Sequence, residues 1–272
     1  MQHKPAVLIT GASAGIGAMY ADRFARRGHP VVMVARDTVR MQTLATRLRA
    51  ETGVDIEILK ADLSNAQDVA KVEARLRDDS NIGVLVNNAG TALPGTFVEQ
   101  SSDEVARLIG LNVMALTRLA SAVAPRLAQA RQGAIVNVAS VVGLAPEKGM
   151  AVYGATKAFV IFLSQGLHLE LGPKGVYVQA VLPSATRTEI WQHAERDVNE
   201  IEGVMEVEEL VDAALAGFDQ RETVTIPPLP EVAQWQQYEA ARLAMVPNFS
   251  QAHPAARYGL LKAPSTGFSY AA

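Results

Sequence analysis

The sequence predicts an α/β fold: a doubly wound parallel β-sheet of about seven strands, with helices on both faces, in a single domain. Three observations carry this prediction. Short β-branched runs recur along the chain, and longer helical patterns separate them. Most of the runs are also apolar nearly throughout instead of alternating, as expected for strands covered on both faces. At 272 residues, 49% apolar and 19% charged, the chain has ordinary globular composition and can bury a full-sized core.

The strand runs are AVLIT (6–10), PVVMVA (30–35), DIEILKA (55–61), IGVLVN (82–87), GAIVNVA (133–139), VYVQAVL (176–182) and ETVTIP (222–227). Helices are predicted over 16–28 and 40–53, each stopping at a glycine. A third, over 66–79, follows Ser64 and Asn65, either of which can cap it. Ser101, Ser102 and Asp103 open a long helix running to about residue 130, and 149–164 (GMAVYGATKAFVIFLS) reads as buried helix. Alternation at this spacing implies right-handed crossovers within one domain, residues 1–227. Residues 228–272 differ in character: one amphipathic helix near 231–245, then a tail bearing Pro, Gly and Ser, expected to be an extension and not a second domain.

Composition narrows the function. A net charge of -3 without runs of like charge argues against a nucleic-acid or anionic-membrane partner. With no cysteine, disulfides and thiol chemistry are excluded, and a cytoplasmic home is compatible. The N-terminus runs straight into a strand with no signal-peptide pattern, and no uninterrupted apolar run reaches the roughly 18 residues of a membrane span. The five histidines are scattered and none sits at metal-ligand spacing, so no metal site is expected.

The stretch ITGASAGIG (9–17) sits where the first strand gives way to a helix. Gly11 can take a tight turn, and Gly15 and Gly17 let backbone approach phosphate oxygens. The helix N-terminus then offers free N–H groups and a positive dipole end to a pyrophosphate. The alternative is a tight turn that binds nothing.

Three motifs together carry a family resemblance. Thr10-Gly11-x-x-x-Gly15-Ile16-Gly17 resembles the cofactor signature of the short-chain dehydrogenase/reductase family. NNAG (87–90) resembles a second signature, and Ser140…Tyr153-x-x-x-Lys157 a third, in the family's order, over residues 5 to about 227. The resemblance implies a Rossmann-type fold, a nicotinamide cofactor and reversible hydride transfer between a ketone and a secondary alcohol. It implies cofactor contacts from Gly11, Ser13, Ala14, Gly15, Ile16 and Gly17 in the turn, and from Asn88, Ala89 and Gly90 at the ribose edge. Asp62, with Leu63 beside it, would meet the adenine; Asp62 as a cap of the 66–79 helix is the alternative. Asn87 or Asn88 can equally tie neighbouring strands together. Pro183, Thr186 and Thr188 in LPSATRTEIW (182–191) would lie near the nicotinamide, with Ser184 replacing the family's glycine, at a cost if that backbone needs positive φ.

The second strand ends VMVARD, placing Ala35 where an acid would hold the ribose hydroxyls of NAD, and Arg36 after it. A guanidinium binds phosphate bidentately, so NADP(H) is favoured and NAD(H) is the weaker possibility. A solvated Arg36 is the alternative, and Ala14 stands where many NADP-preferring relatives carry a second basic residue.

A free tyrosine has a pKa of roughly 10, too high for easy exchange near neutrality, and a nearby ammonium should pull it down. Tyr153 and Lys157 are four residues apart and share a helix face. By resemblance, Tyr153 is the general acid in reduction, Lys157 lowers its pKa and holds the ribose hydroxyls, and Ser140 donates to the substrate oxygen. Asn112 matches the family asparagine that holds a water linking the lysine to solvent. The segment 189–206 fits the family's variable substrate loop, and Val142, Leu144, Met150 and Trp191 suggest an apolar substrate pocket, or core filler. His193 is read as a surface residue.

These readings give an NADP(H)-dependent ketone reductase or alcohol dehydrogenase acting on a small molecule. A 3-oxoacyl carrier-protein reductase of the same family and a catalytically inactive cofactor-sensing protein are the alternatives. Family analogy implies a homo-oligomer, a tetramer or dimer, assembled through the 101–130 and Tyr153-bearing helices.

Overall fold

The structure, a computed structural model, describes residues 4–193 and 197–260. The chain separates into two compact units, Met1–Pro228 and Leu229–Ala272.

In the first unit, seven parallel strands form one sheet in the order β3-β2-β1-β4-β5-β6-β7. They are β1 (Ala6–Thr10), β2 (Val31–Ala35), β3 (Ile56–Lys60), β4 (Ile82–Asn87), β5 (Ala134–Val138), β6 (Tyr177–Val181) and β7 (Val224–Thr225). The helices are α1 (Gly15–Arg26), α2 (Thr38–Thr52), α3 (Ala66–Asp78), α4 (Ser102–Ile109), α5 (Leu116–Ala130), α6 (Ala151–Leu171), α7 (Ile190–His193) and α8 (Val207–Asp219). The chain builds β1 to β3 outward, then returns to place β4 beside β1. The strand order therefore reverses between β1 and β4, and a crevice opens there at the carboxyl ends of the strands.

The apolar strands are buried on both faces, and the side-chain period of two divides them between two cores. From β1, Val7 and Ile9 join Tyr20 and Phe24 of α1, Met41 and Leu48 of α2 and Leu210 of α8. Leu8 points the other way, with Val72 and Leu76 of α3 and Leu119, Val123 and Leu127 of α5. Full burial of such a side chain contributes about 1.5–3 kcal/mol, so the two cores are the main force holding the helices to the sheet.

Two elements differ from expectation. The seventh strand is only two residues long, pairing Ala180 with Val224 and Val181 with Thr225. Pro227 and Pro228 follow at once and have no N–H to extend the ladder. The long helix is not uniform: α4 and α5 are joined by a π-helical segment, Gly110–Ala115, which contains Asn112. Its start is fixed by a capping box between Ser101 and Glu104. Taken together, Ser102–Ala130 is long and apolar enough by composition to cross a membrane, with a mean hydropathy of 1.4. The buried Leu119, Val123 and Leu127 place that apolarity in the sheet core.

In the second unit, α9 (Val232–Met245) contains no buried residue, and Trp235 stacks on Tyr238 with ring centroids 5.3 Å apart. Residues 261–272, part of the expected tail, lie outside the described residues, as does the side chain of His193.

Candidate active site

The crevice at the β1/β4 reversal is a cleft of about 570 Å³. Its first wall is the glycine turn between β1 and α1. Gly11 (φ +67) and Gly15 (φ +52) occupy the left-handed region that a side chain would strain. A Cβ at Gly17 would overlap the Gly11 carbonyl oxygen, so this glycine permits the close passage of α1 over the turn. No side chain caps α1 at Ala14, and Ser13, Ala14, Gly15 and Ile16 line the cleft there. The turn is braced by the end of β4. The Asn88 amide donates to the Thr10 carbonyl at 2.9 Å, and the N–H groups of Asn88 and Ala89 donate to the Thr10 hydroxyl at 2.9 and 3.0 Å.

Asn87 ties strands. Its amide donates to Asn137 Oδ1 at 3.0 Å, and Asn137 in turn donates to Ser164 Oγ at 2.9 Å. This buried chain fixes α6 against β4 and β5.

Beyond the ends of β2 and β3, Arg36, Asp37, Arg40, Asp62 and Leu63 line the cleft, as does Glu189. The two readings of Asp62 separate here. Asn65 caps α3, accepting from the N–H groups of Gln67 and Asp68 at 2.8 and 3.2 Å. Asp62 stays in its own turn, accepting from the Ser64 N–H at 2.9 Å. Arg40 and Glu189 were missed in the sequence. Arg40 lies in the first turn of α2, four residues beyond Arg36 in the preceding loop; its pairing with a residue 149 positions away left no trace in the sequence.

At the other end, Ser140, Tyr153 and Lys157 share one wall. Ser140 follows β5 and caps a short 3-10 turn, its hydroxyl donating to the Pro183 carbonyl at 3.2 Å. Lys157 is buried, 6% exposed, with Nζ donating to the Val138 carbonyl at 3.0 Å and lying 5.6 Å from the centre of the Tyr153 ring. Burial pushes the Lys157 ammonium down to about 8. Burial also pushes the Tyr153 phenol up to about 12, while a side-chain hydrogen bond with Ser140 pulls the other way. This corrects the expectation that Lys157 draws the phenol down. The lysine is itself desolvated and turned onto a backbone carbonyl, and the group that favours the phenolate is Ser140.

Asn112 is buried in the π-helical segment, off the cleft wall. Its Oδ1 accepts from the Thr91 N–H at 3.0 Å, and its Nδ2 donates to the Thr91 carbonyl at 2.9 Å and to Thr156 Oγ1 at 3.2 Å. Thr156 then donates to the Tyr153 carbonyl at 2.7 Å. Gly90 separates Asn112 from the lysine: a Cβ there would sit 3.1 Å from Asn112 Oδ1 and 3.6 Å from Lys157 Nζ.

Gly90, Val142, Met150, Pro183, Thr186, Thr188 and Trp191 also line the cleft; Gly17 and Leu144 do not. Ser184 does not adopt positive φ, so serine carries no backbone cost in place of glycine. Met150 does, at φ +59, immediately before α6, a conformation that costs about 1–3 kcal/mol in a non-glycine residue. Among the described residues, no group of three His, Cys, Asp or Glu side chains could hold a metal ion.

The profile of the short chain dehydrogenase family matches residues 5–199. A short-chain dehydrogenase from Sphingobium yanoikuyae, solved in complex with NADPH, is 62% identical, with a TM-score of 0.92 over 93% of this chain and 100% of that one. A bulky-bulky ketone specific alcohol dehydrogenase from Comamonas testosteroni is 58% identical, with a TM-score of 0.88 over 94% of this chain and 99% of that one. Both likenesses cover more than residues 1–228 alone could supply. Among curated relatives, the very-long-chain 3-oxoacyl-CoA reductase of Anas platyrhynchos is 32% identical over 188 residues, 67% of this chain. The chain spans about 60% of the length of the curated relatives it matches. Fold, glycine turn and family match agree: the chain belongs to the short-chain dehydrogenase family.

Proposed function

We propose that the protein is an NADP(H)-dependent ketone reductase, reversible as a secondary-alcohol dehydrogenase, and that its substrates carry bulky groups on both sides of the carbonyl. The observation that carries the reading is one wall of one cleft presenting Ser140, Tyr153 and Lys157, opposite a glycine cradle at the topological switch point. The residues fit a dinucleotide. The turn closes this tightly because Gly11, Gly15 and Gly17 lack Cβ atoms, which would meet Asn88, Thr188 and the Gly11 carbonyl oxygen, and its backbone lines the cleft at Gly11 and Gly15.

The cofactor, when bound, supplies or accepts the hydride. This chain's residues hold and move the proton. Tyr153 is the proton donor to the developing alkoxide, and its raised pKa keeps it protonated through neutral pH. The Ser140 hydroxyl, turned from the Pro183 carbonyl, donates to the same oxygen. Lys157, buried beside Tyr153 and charged below about pH 8, holds the nicotinamide ribose. Asn112 acts through structure, fixing Thr91 and Thr156 on either side of Lys157 and Tyr153. Arg36, exposed at the adenosine end, is the 2′-phosphate ligand, and Asp62 with Leu63 meets the adenine. The catalytic work belongs to residues 1–227, with 228–272 as a C-terminal extension.

Support for the substrate class comes from the ketone specificity of the Comamonas enzyme and from Val142, Met150 and Trp191 in the lining. The 3-oxoacyl-CoA reductase likeness favours a second reading, reduction of a 3-oxoacyl thioester. A panel of diaryl ketones, aliphatic ketones and 3-oxoacyl thioesters, followed by NADPH absorbance, decides. Turnover of the bulky ketones supports the proposal, and turnover confined to thioesters overturns it. A homodimer or tetramer is the expected assembly, supported by the exposure of Phe162 (78%) and Leu169 (75%) on α6.

A further inference from the structure

We propose that Arg40 is a second ligand for the cofactor's 2′-phosphate, held in reserve by Glu189, so that Glu189 sets the strength of the NADP(H) preference. The inference rests on the NADP(H) reading above. The adenosine end of the cleft carries two cations, Arg36 and Arg40, and three carboxylates, Asp37, Asp62 and Glu189. With every group in place the balance is acidic, a poor setting for a phosphate dianion.

The three carboxylates are not equally committed. Asp37 caps α2, accepting from the Arg40 N–H at 3.0 Å, and Asp62 closes its own turn on the Ser64 N–H at 2.9 Å. Glu189 has no such local duty. Its two oxygens both lie 2.7 Å from Arg40 Nη1. The Arg40 Nε is 3.4 Å from Asp37 Oδ2, and the hydrogen bonds to Glu189 both come from Nη1. Glu189 therefore engages the guanidinium through one nitrogen only, and the paired fork that a phosphate would use is not filled by it. Arg36 has no hydrogen bond or ion pair among the described residues and is available from the start.

The magnitudes decide which contact yields. Both side chains of the Arg40–Glu189 pair are half exposed, at 51% and 50%, and such pairs are weak. A phosphate takes two charge-assisted N–H bonds from one guanidinium and carries more charge than a carboxylate. It therefore displaces Glu189 from Arg40, and the contact it breaks is subtracted from its affinity. By linkage, the factor by which the Glu189 contact weakens phosphate binding equals the factor by which phosphate weakens that contact. Glu189 precedes α7, whose Trp191 lines the substrate end and donates to the Thr186 carbonyl at 2.7 Å. The contact thus links the cofactor's phosphate to the segment that carries a substrate-pocket residue.

The test is calorimetric titration with 2′,5′-ADP and with 5′-AMP, which share the adenosine and differ in the 2′-phosphate. Wild-type protein is expected to bind 2′,5′-ADP more tightly than 5′-AMP; equal binding would overturn the cofactor reading and this inference with it. Given that preference, Arg40→Gln is expected to weaken 2′,5′-ADP by about tenfold and leave 5′-AMP within twofold, which also reports an intact fold. Glu189→Gln is expected to tighten 2′,5′-ADP by about fivefold, about 1 kcal/mol, and leave 5′-AMP unchanged. In the double variant the tightening is expected to vanish, because Glu189 acts through Arg40. Unchanged 2′,5′-ADP binding in Arg40→Gln overturns the assignment while leaving the cofactor reading intact. A fivefold gain that persists in the double variant makes Glu189 a general repulsive charge and overturns the reserve.

Discussion

Replacing Lys157 by Met should make the folded protein more stable while removing its activity. The lysine is 6% exposed and its ammonium is pushed from 10.5 to about 8 by burial. That gap corresponds to about 3 kcal/mol by which the fold disfavours the charged form. Because the folded value lies below the unfolded one, the unfolded chain binds more protons between about pH 8 and 10.5, and this group makes stability rise with pH across that window. Below pH 8 the full penalty is present. Met removes the penalty but leaves the Val138 carbonyl without its donor, a loss of about 1 kcal/mol. The net expectation at pH 7 is a gain of about 2 kcal/mol, read as a higher urea midpoint with an unchanged slope. At pH 10.5 the gain should have disappeared, since the lysine is then neutral in the folded state and only half charged in the unfolded one, and the lost Val138 contact outweighs what remains of the penalty. The measurement is urea unfolding of both proteins at pH 7 and 10.5. A variant less stable than wild type at pH 7, or a difference independent of pH, would refute the reasoning.

Two further outcomes follow from the same geometry. Arg36→Ala should weaken NADPH by about 10–100-fold, the worth of one or two charge-assisted bonds, and NADH by less than threefold, measured by nicotinamide fluorescence; equal losses remove the phosphate assignment. Asn137→Ala cuts the amide chain from Asn87 to Ser164 and leaves buried polar atoms unpaired. It should lower stability by about 1–3 kcal/mol per orphaned group in urea unfolding, and a neutral result would show that the chain does not hold α6 in place.

The sheet was legible because double burial writes itself into composition. A strand such as AVLIT is buried at every position and apolar at all but its last, and such runs stand out. The seventh strand was overdrawn because ETVTIP has strand-like residues, while the two prolines that end it act through a missing donor. The π-helical segment left little trace, because its hydrogen-bond shift changes backbone geometry and not residue type. Asn112 in mid-helix was the one hint, since asparagine competes for backbone bonds there.

Within the cleft, the motif residues close in sequence were legible as groups: the glycine turn, Tyr153 with Lys157, and Pro183 to Thr188. What depended on tertiary packing was not. Arg40 meets Glu189 across 149 residues of chain. Leu144 and Val142 are two residues apart in one turn, yet only Val142 reaches the cleft. The pKa of Tyr153 moves up and not down because burial, invisible in a Tyr-x-x-x-Lys spacing, is its largest cause.

The central claim is that the Tyr153 hydroxyl delivers the proton that completes ketone reduction. Tyr153→Phe removes that hydroxyl and keeps the ring that packs in the cleft wall. The account predicts NADPH binding within threefold of wild type, measured by fluorescence, with bulky-ketone reduction lowered by a factor of about 10³ or more when the only proton donor is lost. Ketone turnover in Tyr153→Phe equal to that of wild type would contradict it.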